Sequence, residues 1–595
     1  MKKFIFFSLV PHIGKLRKQP ETQRHQVAPY TSTRAHRYSF HSTRGIRRKP
    51  LISQNVIPCE IKNTAVLTAA SLLCRLIGFY YKIFLASLIG AEGIGIYQMV
   101  FPIFLFCTCL ASSGMQTAIS RFTAESLSLN HPARARAYFS AGLTISLTLS
   151  GISAALLYLA APFLASRVLA DERCLSLLRL MAAAIPLETI HSCTCAYFLG
   201  QKKSAFPALS QLAEQLARTG STFLLFYMLY HNNSPSALLA VSGLIAGESA
   251  AAILSLAALI FDKTQHRSLQ DENGNFQTHP FFDSRQLLST AVPVTGNRLM
   301  ISFLQSAEAA LLPLCLTRFY QESSAALSSY GMLTGMALPL VLFPTAITGS
   351  YSLVLLPSVS EASAQQNGKK IAAMIRSSLL FSLYLGVLCT SAFLLFGPSL
   401  GNLLYHREQV GNCLMTLAWI CPFLYLSSTI SSILHGLGKT MRVFWNNFAG
   451  IMIRLCFILL LVPRFGVSGY LWGLLGSQLV TALLGLTALR YSTVFSFPAL
   501  EGILLPTALC LGSACPLMLL QKIFPVLASP DSWQTLLISA MLWGGPVLMG
   551  SVATLRRLYQ YMASQGGRPN TDCNNRQRRY FNSRPHKEAD RSEDF

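Results

Sequence analysis

Four arginines interrupt long apolar stretches of this sequence and are its clearest candidates for chemistry: Arg75, Arg218, Arg298 and Arg454. An ionised side chain inside a membrane-spanning helix is costly, so it normally faces a partner or an aqueous cavity and marks a functional site. The planar guanidinium is always charged, and its fork of N–H donors matches the oxygens of a phosphate. We therefore predict that these arginines bind an anionic group, with Arg75 and Arg298 as the main ligands and Arg218 and Arg454 as helpers.

Three glutamates in the same apolar stretches, Glu214, Glu248 and Glu308, are candidates for ion coupling or gating. Glu214 stands four residues before Arg218, a helical spacing at which the two side chains neutralise each other. Glu248 has no basic partner within its own stretch, so it either binds a proton or cation or pairs with an arginine from another helix. Because Arg is at least as frequent as Glu in these stretches, they favour an anionic substrate over a lipophilic cation.

The sequence carries no pattern typical of a bound metal ion, cofactor or nucleotide. Its 15 cysteines lie mostly inside apolar runs, and the pair Cys193 and Cys195 has neither the spacing nor the second pair of a zinc site. No G-x-x-x-x-G-K-[ST] sequence is present to bind a nucleotide. The connections predicted to be external are short, which disfavours a membrane-embedded polymerase or glycosyltransferase. We expect no enzyme and no cofactor.

Composition places these charged groups in membrane helices. The chain has 595 residues, of which 52% are hydrophobic and 12% charged, whereas soluble proteins carry about 25% charged residues. The mean hydropathy is +0.43. So little charge cannot cover the surfaces of soluble domains. The net charge of +24 is concentrated at the two ends of the chain. It flanks apolar segments there, which indicates cytoplasmic anchoring next to membrane lipids and not nucleic-acid binding.

Apolar stretches recur through the chain, each long enough to cross about 30 Å of hydrocarbon as a helix of roughly 20 residues. We predict an all-α integral membrane protein with about fourteen transmembrane spans, numbered one to fourteen below. Their predicted limits are Thr64–Leu88, Ile94–Ile119, Tyr138–Leu164, Leu175–Phe198, Phe206–Tyr230, Ala237–Phe261, Leu287–Leu311, Tyr330–Tyr351, Ser377–Phe396, Cys413–Leu434, Val443–Val462, Val467–Leu489, Leu500–Leu520 and Trp533–Leu555.

The connections between these spans are asymmetric in positive charge. With a cytoplasmic N-terminus, the connections on that side carry more than twice as many Lys and Arg residues as the external ones, and both basic ends of the chain join the richer side. Positively charged loops are retained in the cytoplasm. We therefore expect a multi-pass protein with both termini in the cytoplasm.

The sequence repeats itself at an interval of six spans. A basic turn comes before span five (Gly200–Lys203) and another before span eleven (Gly436–Lys439). In both cases one of the four arginines follows fifteen residues after the last lysine of the turn. Spans two and eight each begin near a tyrosine and are followed by a glutamate, Glu125 and Glu361. An even interval preserves orientation, which implies two six-helix lobes related by an axis along the membrane normal. Two such lobes are typical of transporters that work by alternating access.

The spans divide the chain into regions with different expected roles. Residues 1–58 are predicted to be a basic, disordered extension, because Arg, His, Ser and Thr occur there in no periodic order. Their apolar run is too short for a signal peptide, and no cleavage site follows it. The other predicted regions are an N-lobe of spans one to six (61–261), a cytoplasmic linker (262–286), a C-lobe of spans seven to twelve (287–489), spans thirteen and fourteen (500–555) and a polar cytoplasmic tail (560–595).

Five short motifs are weak singly but specific in combination: Leu73–Tyr80, Ile89–Gln98, Ser210–Gln215, Pro357–Ala362 and His435–Lys439. Over residues 61–555 the chain resembles the stage V sporulation protein B family of the multidrug/oligosaccharidyl-lipid/polysaccharide exporter superfamily. The resemblance implies fourteen helices in two lobes and the flipping of a polyprenyl-pyrophosphate-linked saccharide, a precursor of wall or surface polysaccharide, across a bacterial cytoplasmic membrane. The pyrophosphate is then the anionic group that the arginines bind.

The chain departs from the related lipid II flippases of peptidoglycan synthesis in three places. In span one, the flippases carry a basic residue where this chain has Tyr81. At the start of span two, they carry an Asp where it has Gly95 and Ile96. Before the proline of span eight, they carry an Arg and a Glu, and Leu333–Leu338 of this chain contains neither. The first arginine of the flippase pattern matches Arg75. The resemblance therefore implies the broader class of lipid-linked saccharides more firmly than lipid II itself.

A cation-coupled multidrug antiporter of the same superfamily is the alternative function. Such a pump needs buried carboxylates, so its activity would depend on Glu214 or Glu248 and not on the arginines. Either transporter is expected to use an ion gradient or the membrane potential. The expected partners are therefore the transported molecule, membrane lipids and a coupling ion.

Overall fold

The structure is a computed structural model that describes residues 59–129, 131–229, 236–267, 280–493, 495, 497–498, 500–523 and 532–565. All regular secondary structure within these ranges is helical, which confirms the all-α prediction. The predicted N-terminal extension, 1–58, and all of the polar tail beyond residue 565 lie outside the described residues.

The N-terminal half of the protein contains five helices, which correspond to predicted spans one to six. They are α1 (Cys59–Ser128, which contains spans one and two), α2 (Pro132–Phe163), α3 (Cys174–Gly200), α4 (Ala205–Leu229) and α5 (Leu238–Arg267), and a π-helical turn, Leu164–Val168, extends α2.

The C-terminal half contains spans seven to twelve and is followed by two further helices. It consists of α6 (Pro280–Tyr320), α7 (Ser323–Gly331), a π-helical segment (Met332–Ala337), α8 (Leu338–Leu342), α9 (Thr345–Ala364), α10 (Gly368–Tyr405), α11 (Glu408–Ala418), α12 (Cys421–Gly436), α13 (Thr440–Leu460), α14 (Val462–Phe465) and α15 (Val467–Ser492). A π-helical turn, Leu500–Leu504, then leads into α16 (Leu505–Ile523), and α17 (Trp533–Gln565) follows.

Spans one and two are joined at a single glycine. The apolar stretch Ala69–Ser128 has 60 residues, and a straight helix of that length would measure about 90 Å, three times the hydrocarbon thickness. The helix breaks at Gly90, whose backbone dihedrals (φ 69°, ψ 180°) are not helical. This conformation is open to glycine and strained for other residues, so the position of Gly90 determines where span one ends and span two begins.

Eleven helices among the described residues are long and apolar enough to cross a membrane, or twelve if the bent pair α11 and α12 is one span. The multi-pass architecture is therefore confirmed. A total of fourteen also requires two further spans. One comes from dividing Ala69–Ser128 at Gly90, and the other is α4, whose polar residues lower its hydropathy. The number fourteen stays a prediction.

Span eight is the most irregular span. It runs through α7, the π-helical segment and α8, and then breaks at Phe343 and Pro344 before α9 begins. Irregular helix leaves backbone carbonyls without their usual partners. Two buried tyrosines donate to these carbonyls: Tyr405 to the Met336 oxygen at 3.4 Å and Tyr425 to the Val341 oxygen at 2.9 Å. Span eight is thereby held onto α10 and α12 of its own half.

The two halves of the protein pack against each other along α1 and α6. Gly114 of α1 lies so close to α6 that an added Cβ would collide with the Ala291 carbonyl and the Thr295 hydroxyl. Further along the same pair of helices, the Ser306 hydroxyl donates to the Pro102 carbonyl at 2.9 Å. Small residues and hydrogen bonds of this kind are what hold membrane helices together.

We expect Tyr425→Phe to lower the free energy of unfolding by about 1–3 kcal/mol, because the buried Val341 carbonyl would lose its hydrogen-bond donor. Thermal unfolding of the purified protein in detergent measures this change. Tyr80→Phe is the matched control, since the Tyr80 side chain is 60% exposed, and it should leave Tm unchanged. An unchanged Tm for Tyr425→Phe would contradict the assigned role of this hydroxyl.

Candidate functional site

Arg75 and Arg298 both lie at the seam between the two halves of the protein. Arg75 is on span one, and its guanidinium lies over Gly349 of α9 in the opposite half: a Cβ added there would be 3.6 Å from Arg75 Nη2. Arg298 is on span seven, in α6, and its Nη1 donates to the Ser113 carbonyl of α1 at 3.4 Å. Each arginine therefore reaches from the first span of its own half to the second span of the other half.

The two contacts are equivalent under the predicted internal repeat. Ser113 lies twelve residues before Glu125, and Gly349 lies twelve residues before Glu361. Because Glu125 and Glu361 follow spans two and eight at matching positions, the two arginines contact matching points on those spans. This is the geometry expected of two lobes related by a two-fold axis.

Neither of these arginines is neutralised by an acidic side chain in the part of the chain that the structure describes. Both side chains are exposed. Within that part, Arg75 has no ion pair or hydrogen bond, and Arg298 has its single contact with a backbone carbonyl. Two guanidinium groups without counter-ions are thus available to an anion at the seam.

The other two predicted arginines are neutralised within their own halves. Arg218 Nη2 lies 2.6 Å from Glu214 Oε1, its neighbour on α4, and 3.1 Å from Glu248 Oε1 on α5. The side chains of Arg218 and Glu248 are only 17% and 7% exposed. The sequence left two roles open for Glu248, an ion site or a pairing with an arginine of another helix. The structure shows the pairing, with Arg218.

Arg454 forms a second cluster, in the C-terminal half. Its Nε lies 3.1 Å from Glu308 Oε1 on α6, and the buried Tyr470 of α15 donates to the same carboxylate oxygen at 2.8 Å. This cluster joins three helices, and one of them is the helix that carries Arg298. The structure therefore brings Arg454 to a carboxylate and not to the seam.

Two polar residues around the first cluster were missed by sequence reasoning, and so was Tyr470 of the second cluster. Glu188 of α3 accepts from the Ser112 hydroxyl of α1 at 3.3 Å, and His191, one turn later on α3, lies 3.9 Å from Glu214 through its Nε2. An ionisable pair three residues apart in an apolar stretch was the available signal. Tyr470 gave no such signal, because a tyrosine in a membrane span is ordinary.

The chemistry available at the seam is anion recognition. Arg is suited to bind phosphate oxygens in a bidentate manner, and its charge cannot be lost by deprotonation. Within the described ranges, no group of three or more His, Cys, Asp and Glu side chains is arranged to hold a metal ion. The seam thus presents two arginines, one from each half of the protein, whose guanidinium groups can each donate hydrogen bonds to an anion.

Comparison with protein families identifies the chain. The profile of the polysaccharide biosynthesis protein family matches residues 61–363, which is more than half of the chain. The chain belongs to this family. The match covers the N-terminal half together with spans seven and eight, so both seam arginines lie within it.

Two curated relatives agree with the family assignment. The chain is 27% identical to the stage V sporulation protein B of Bacillus subtilis (strain 168) over 444 residues, which cover 73% of this chain and 83% of that protein. It is 20% identical to the lipid II flippase MurJ of the same organism over 474 residues, covering 74% and 84% of the two proteins. The family resemblance inferred from the motifs is confirmed.

Solved structures show the same fold. A lipid II flippase MurJ in an inward closed conformation superimposes with a TM-score of 0.62 at 14% identity, over 83% of this chain and 100% of that chain. An inward-facing multidrug resistance MATE family transporter of the MOP superfamily gives a TM-score of 0.51 at 14% identity, over 72% and 98%. The chain is therefore a multi-pass membrane protein with the fold of these transporters.

We expect the pairing of Arg454 with Glu308 to stabilise the folded protein, so that removal of one partner costs more stability than removal of both. Glu308→Leu leaves a buried guanidinium without a counter-ion and should lower stability by about 3–5 kcal/mol, whereas Glu308→Leu with Arg454→Met should recover most of that loss. Thermal unfolding of the single and double variants measures the difference. A double variant less stable than both single variants would contradict the pairing.

Proposed function

We propose that this protein flips a polyprenyl-pyrophosphate-linked saccharide across a bacterial cytoplasmic membrane by alternating access, with both termini in the cytoplasm. The observation that carries the proposal is the difference among the four intramembrane arginines. Arg218 and Arg454 are neutralised by carboxylates, whereas Arg75 and Arg298 stand exposed at the seam without acidic partners among the described residues. A site of that polarity favours an anion.

Arg75 and Arg298 are proposed to bind the pyrophosphate. A lipid-linked pyrophosphate carries its negative charge between an apolar tail and a polar saccharide, so the cations that hold it must lie between a polar region and the bilayer. Two arginines that come from opposite halves suit two adjacent phosphate groups, because each half then contributes a guanidinium fork. Movement of one half relative to the other changes this pair of contacts, which couples substrate binding to the transport cycle.

The C-terminal helix pair supplies an apolar surface for the isoprenoid tail. α16 and α17 enclose an open groove of about 460 Å³ whose lining is mostly apolar, including Leu509, Pro516, Leu520 and Leu542. The π-helical turn that leads into α16 is attached to α10 by two contacts of Arg376 with the Glu501 carboxylate, at 2.9 and 2.8 Å. A flexible hydrocarbon chain fits such a groove through burial of apolar surface.

The carboxylates of the N-terminal half are proposed to couple transport to an ion gradient. Glu214 and Glu248 share the single guanidinium of Arg218, and a third carboxylate, Glu188, lies one turn before His191, which is beside Glu214. An excess of negative charge inside a helix bundle requires a compensating proton or cation. Each elementary charge that moves through about 100 mV of membrane potential supplies about 2.3 kcal/mol. Glu308 has its own guanidinium and tyrosine, and we assign it a gating role through the position of α6.

We expect Arg75→Ala and Arg298→Ala each to slow flipping of a fluorescent polyprenyl-pyrophosphate saccharide in proteoliposomes by about 10- to 100-fold, since a charge-assisted hydrogen bond contributes about 1.5–3 kcal/mol. Arg75→Lys, which keeps the charge but loses the fork, should fall between wild type and Arg75→Ala. Arg464→Ala is the control, because this arginine is exposed on the short helix α14.

Two results would overturn this assignment. Flipping at the wild-type rate by a folded Arg75→Ala, Arg298→Ala double variant would remove the arginines from the binding site. Efflux of a lipophilic cation by wild-type vesicles that do not flip the saccharide lipid would instead support the multidrug antiporter.

We expect Glu248→Gln to abolish the acceleration of flipping by an imposed proton or sodium gradient while leaving slow flipping without a gradient in place. The neutral amide cannot exchange a proton or balance a cation, although it retains a similar shape. Parallel assays with and without each gradient measure this effect. The exposed Glu322, which precedes α7, supplies the control variant Glu322→Gln. Full gradient response of Glu248→Gln would exclude it as the coupling residue.

A further inference from the structure

Two turns that are equivalent in the repeat have the same backbone geometry. One connects α3 to α4 (Gly200–Lys203), and the other connects α12 to α13 (Gly436–Lys439). The middle of each turn has a left-handed residue, Lys202 (φ 61°) and Gly438 (φ 74°). Three backbone hydrogen bonds close each turn in the same pattern: from Gln201, Lys202 and Lys203 to the carbonyls of Tyr197, Leu199 and Phe198, and from Leu437, Gly438 and Lys439 to those of Ile433, His435 and Leu434. The turns therefore differ in their side chains and surroundings, and not in their backbones.

In the first turn, the lysine is neutralised by an acidic residue of the same half. Lys203 Nζ lies 3.1 Å from Asp262 Oδ1, near the end of α5. The Asp262 side chain is 8% exposed, and its carboxylate also accepts from the Tyr197 hydroxyl at 3.3 Å. The positive charge of Lys203 is thus compensated inside the protein.

The lysine of the second turn has no such partner among the described residues. Span twelve, in α15, corresponds to span six, in α5, but Val467–Ser492 contains no acidic residue and has Arg490 in its last turn. Lys439, Arg442 and Arg490 are all exposed, and none of them forms an ion pair within the part of the chain that the structure describes. Under the predicted topology, three positive charges at the cytoplasmic ends of α13 and α15 therefore await an anion.

One of these charges has a fixed position. Arg442 Nη1 lies 3.3 Å from the Ala488 carbonyl oxygen and 3.3 Å from the Ser492 hydroxyl, both at the C-terminal end of α15. The partial negative charge of a helix C-terminus favours a cation there. Within the described residues all hydrogen bonds of Arg442 come from Nη1, so Nε and Nη2 are available as a pair of donors. Such a pair can bind two oxygens of one phosphate.

The surface beside Arg442 is apolar. Met441 and Trp445 of α13 are 63% and 55% exposed, and Tyr491 of α15 is 71% exposed. The Trp445 ring packs against Phe444, with ring centroids 5.2 Å apart. Exposed tryptophan and tyrosine are typical of the boundary between lipid headgroups and acyl chains. A soluble anion would neutralise the guanidinium but leave this apolar surface uncovered, whereas a lipid does both.

We propose that the cytoplasmic ends of α13 and α15 form a binding site for an anionic phospholipid of the inner leaflet. Its phosphate accepts from the Arg442 guanidinium, and its acyl chains cover Met441 and Trp445. Lys439 and Arg490 attract its negative charge. The site lies on helices that carry neither of the seam arginines, so it does not depend on the proposed function.

A lipid bound there stabilises the position of α13. This helix also carries Arg454, whose partner Glu308 lies on α6. The phospholipid therefore holds, at the membrane surface, the same helix that the buried ion pair connects to α6.

We expect the purified full-length protein to bind phosphatidylglycerol more tightly than phosphatidylcholine, a zwitterionic lipid, in native mass spectrometry. Lys439→Gln and Arg490→Gln should each weaken phosphatidylglycerol binding about fivefold, the effect of one basic residue near an anionic lipid. Neither side chain has a hydrogen bond or ion pair among the described residues, so both variants should fold. Arg442→Gln should weaken binding about tenfold, because it also removes the paired donors, and Arg442→Lys should give an intermediate loss.

Lys203→Gln is the matched control, because Asp262 already neutralises this lysine in the equivalent turn. It removes one positive charge on the same side of the membrane and should leave phosphatidylglycerol binding unchanged. Equal losses in Lys203→Gln and Lys439→Gln would show that the lipid responds only to total positive charge, which would overturn the site. Equal binding of the two lipids by the wild-type protein would also overturn it.

A second measurement leaves all residues of the site in place. In a full chain whose other four tryptophans are replaced by Phe, Trp445 should be quenched severalfold more effectively by brominated phosphatidylglycerol than by brominated phosphatidylcholine in liposomes. A chain that retains only Trp419 is the control, since this side chain is 57% exposed and lies twelve residues from Arg407, the nearest Lys or Arg in the sequence. Trp419 should show no preference between the two lipids.

Two outcomes of the quenching measurement would contradict the proposal. Equal quenching of Trp445 by the two brominated lipids would mean that no anionic phospholipid is selected there. Loss of the preference on addition of one polyprenyl pyrophosphate per protein would assign the site to the transported lipid instead. Neither measurement requires flipping, so both remain decisive if the protein transports a different molecule.

Discussion

Every arginine inside an apolar helix of this protein has to be compensated locally, because hydrocarbon contains no water to solvate a guanidinium. Arg454 is compensated within its own half, because Glu308 lies beside it and Tyr470 donates to the same carboxylate oxygen. Those contacts connect α6, α13 and α15, so the neutralised charge also holds the half together. Arg75 and Arg298 have no such partner among the described residues. Both are exposed at the seam, where an anion from outside the chain can supply the negative charge.

The seam lies between two repeated halves that carry arginines at matching positions but differ in their polar clusters. Arg75 and Arg298 occupy related positions in the two halves. The polar clusters are not equivalent, because Arg218 is surrounded by carboxylates from its own half on α4 and α5, whereas the partner of Arg454 comes from α6. The first cluster therefore has an excess of carboxylates and the second is balanced, which is why we propose ion coupling for the first and positioning of the helix that carries Arg298 for the second.

The fold by itself does not distinguish an anionic lipid from a cationic drug as the transported molecule. The chain superimposes on a lipid II flippase and also, less closely, on a MATE transporter. What distinguishes the two classes is the sign of the groups that face the seam. A lipophilic cation requires accessible carboxylates, yet Glu248 is 5% exposed and Glu308 is 8% exposed, and each is bound to an arginine. The exposed seam charges of Arg75 and Arg298 are positive, which suits a pyrophosphate.

Composition and span length by themselves determined that the protein is an all-helical membrane protein, because only internally hydrogen-bonded helices satisfy the backbone of such apolar segments. The motifs determined its family, and the cost of intramembrane charge pointed to all four arginines. Sequence did not separate them, because pairing across helices depends on distances between residues far apart in the chain. Only the tertiary structure placed Glu248 beside Arg218 and Glu308 beside Arg454, and left Arg75 and Arg298 at the seam.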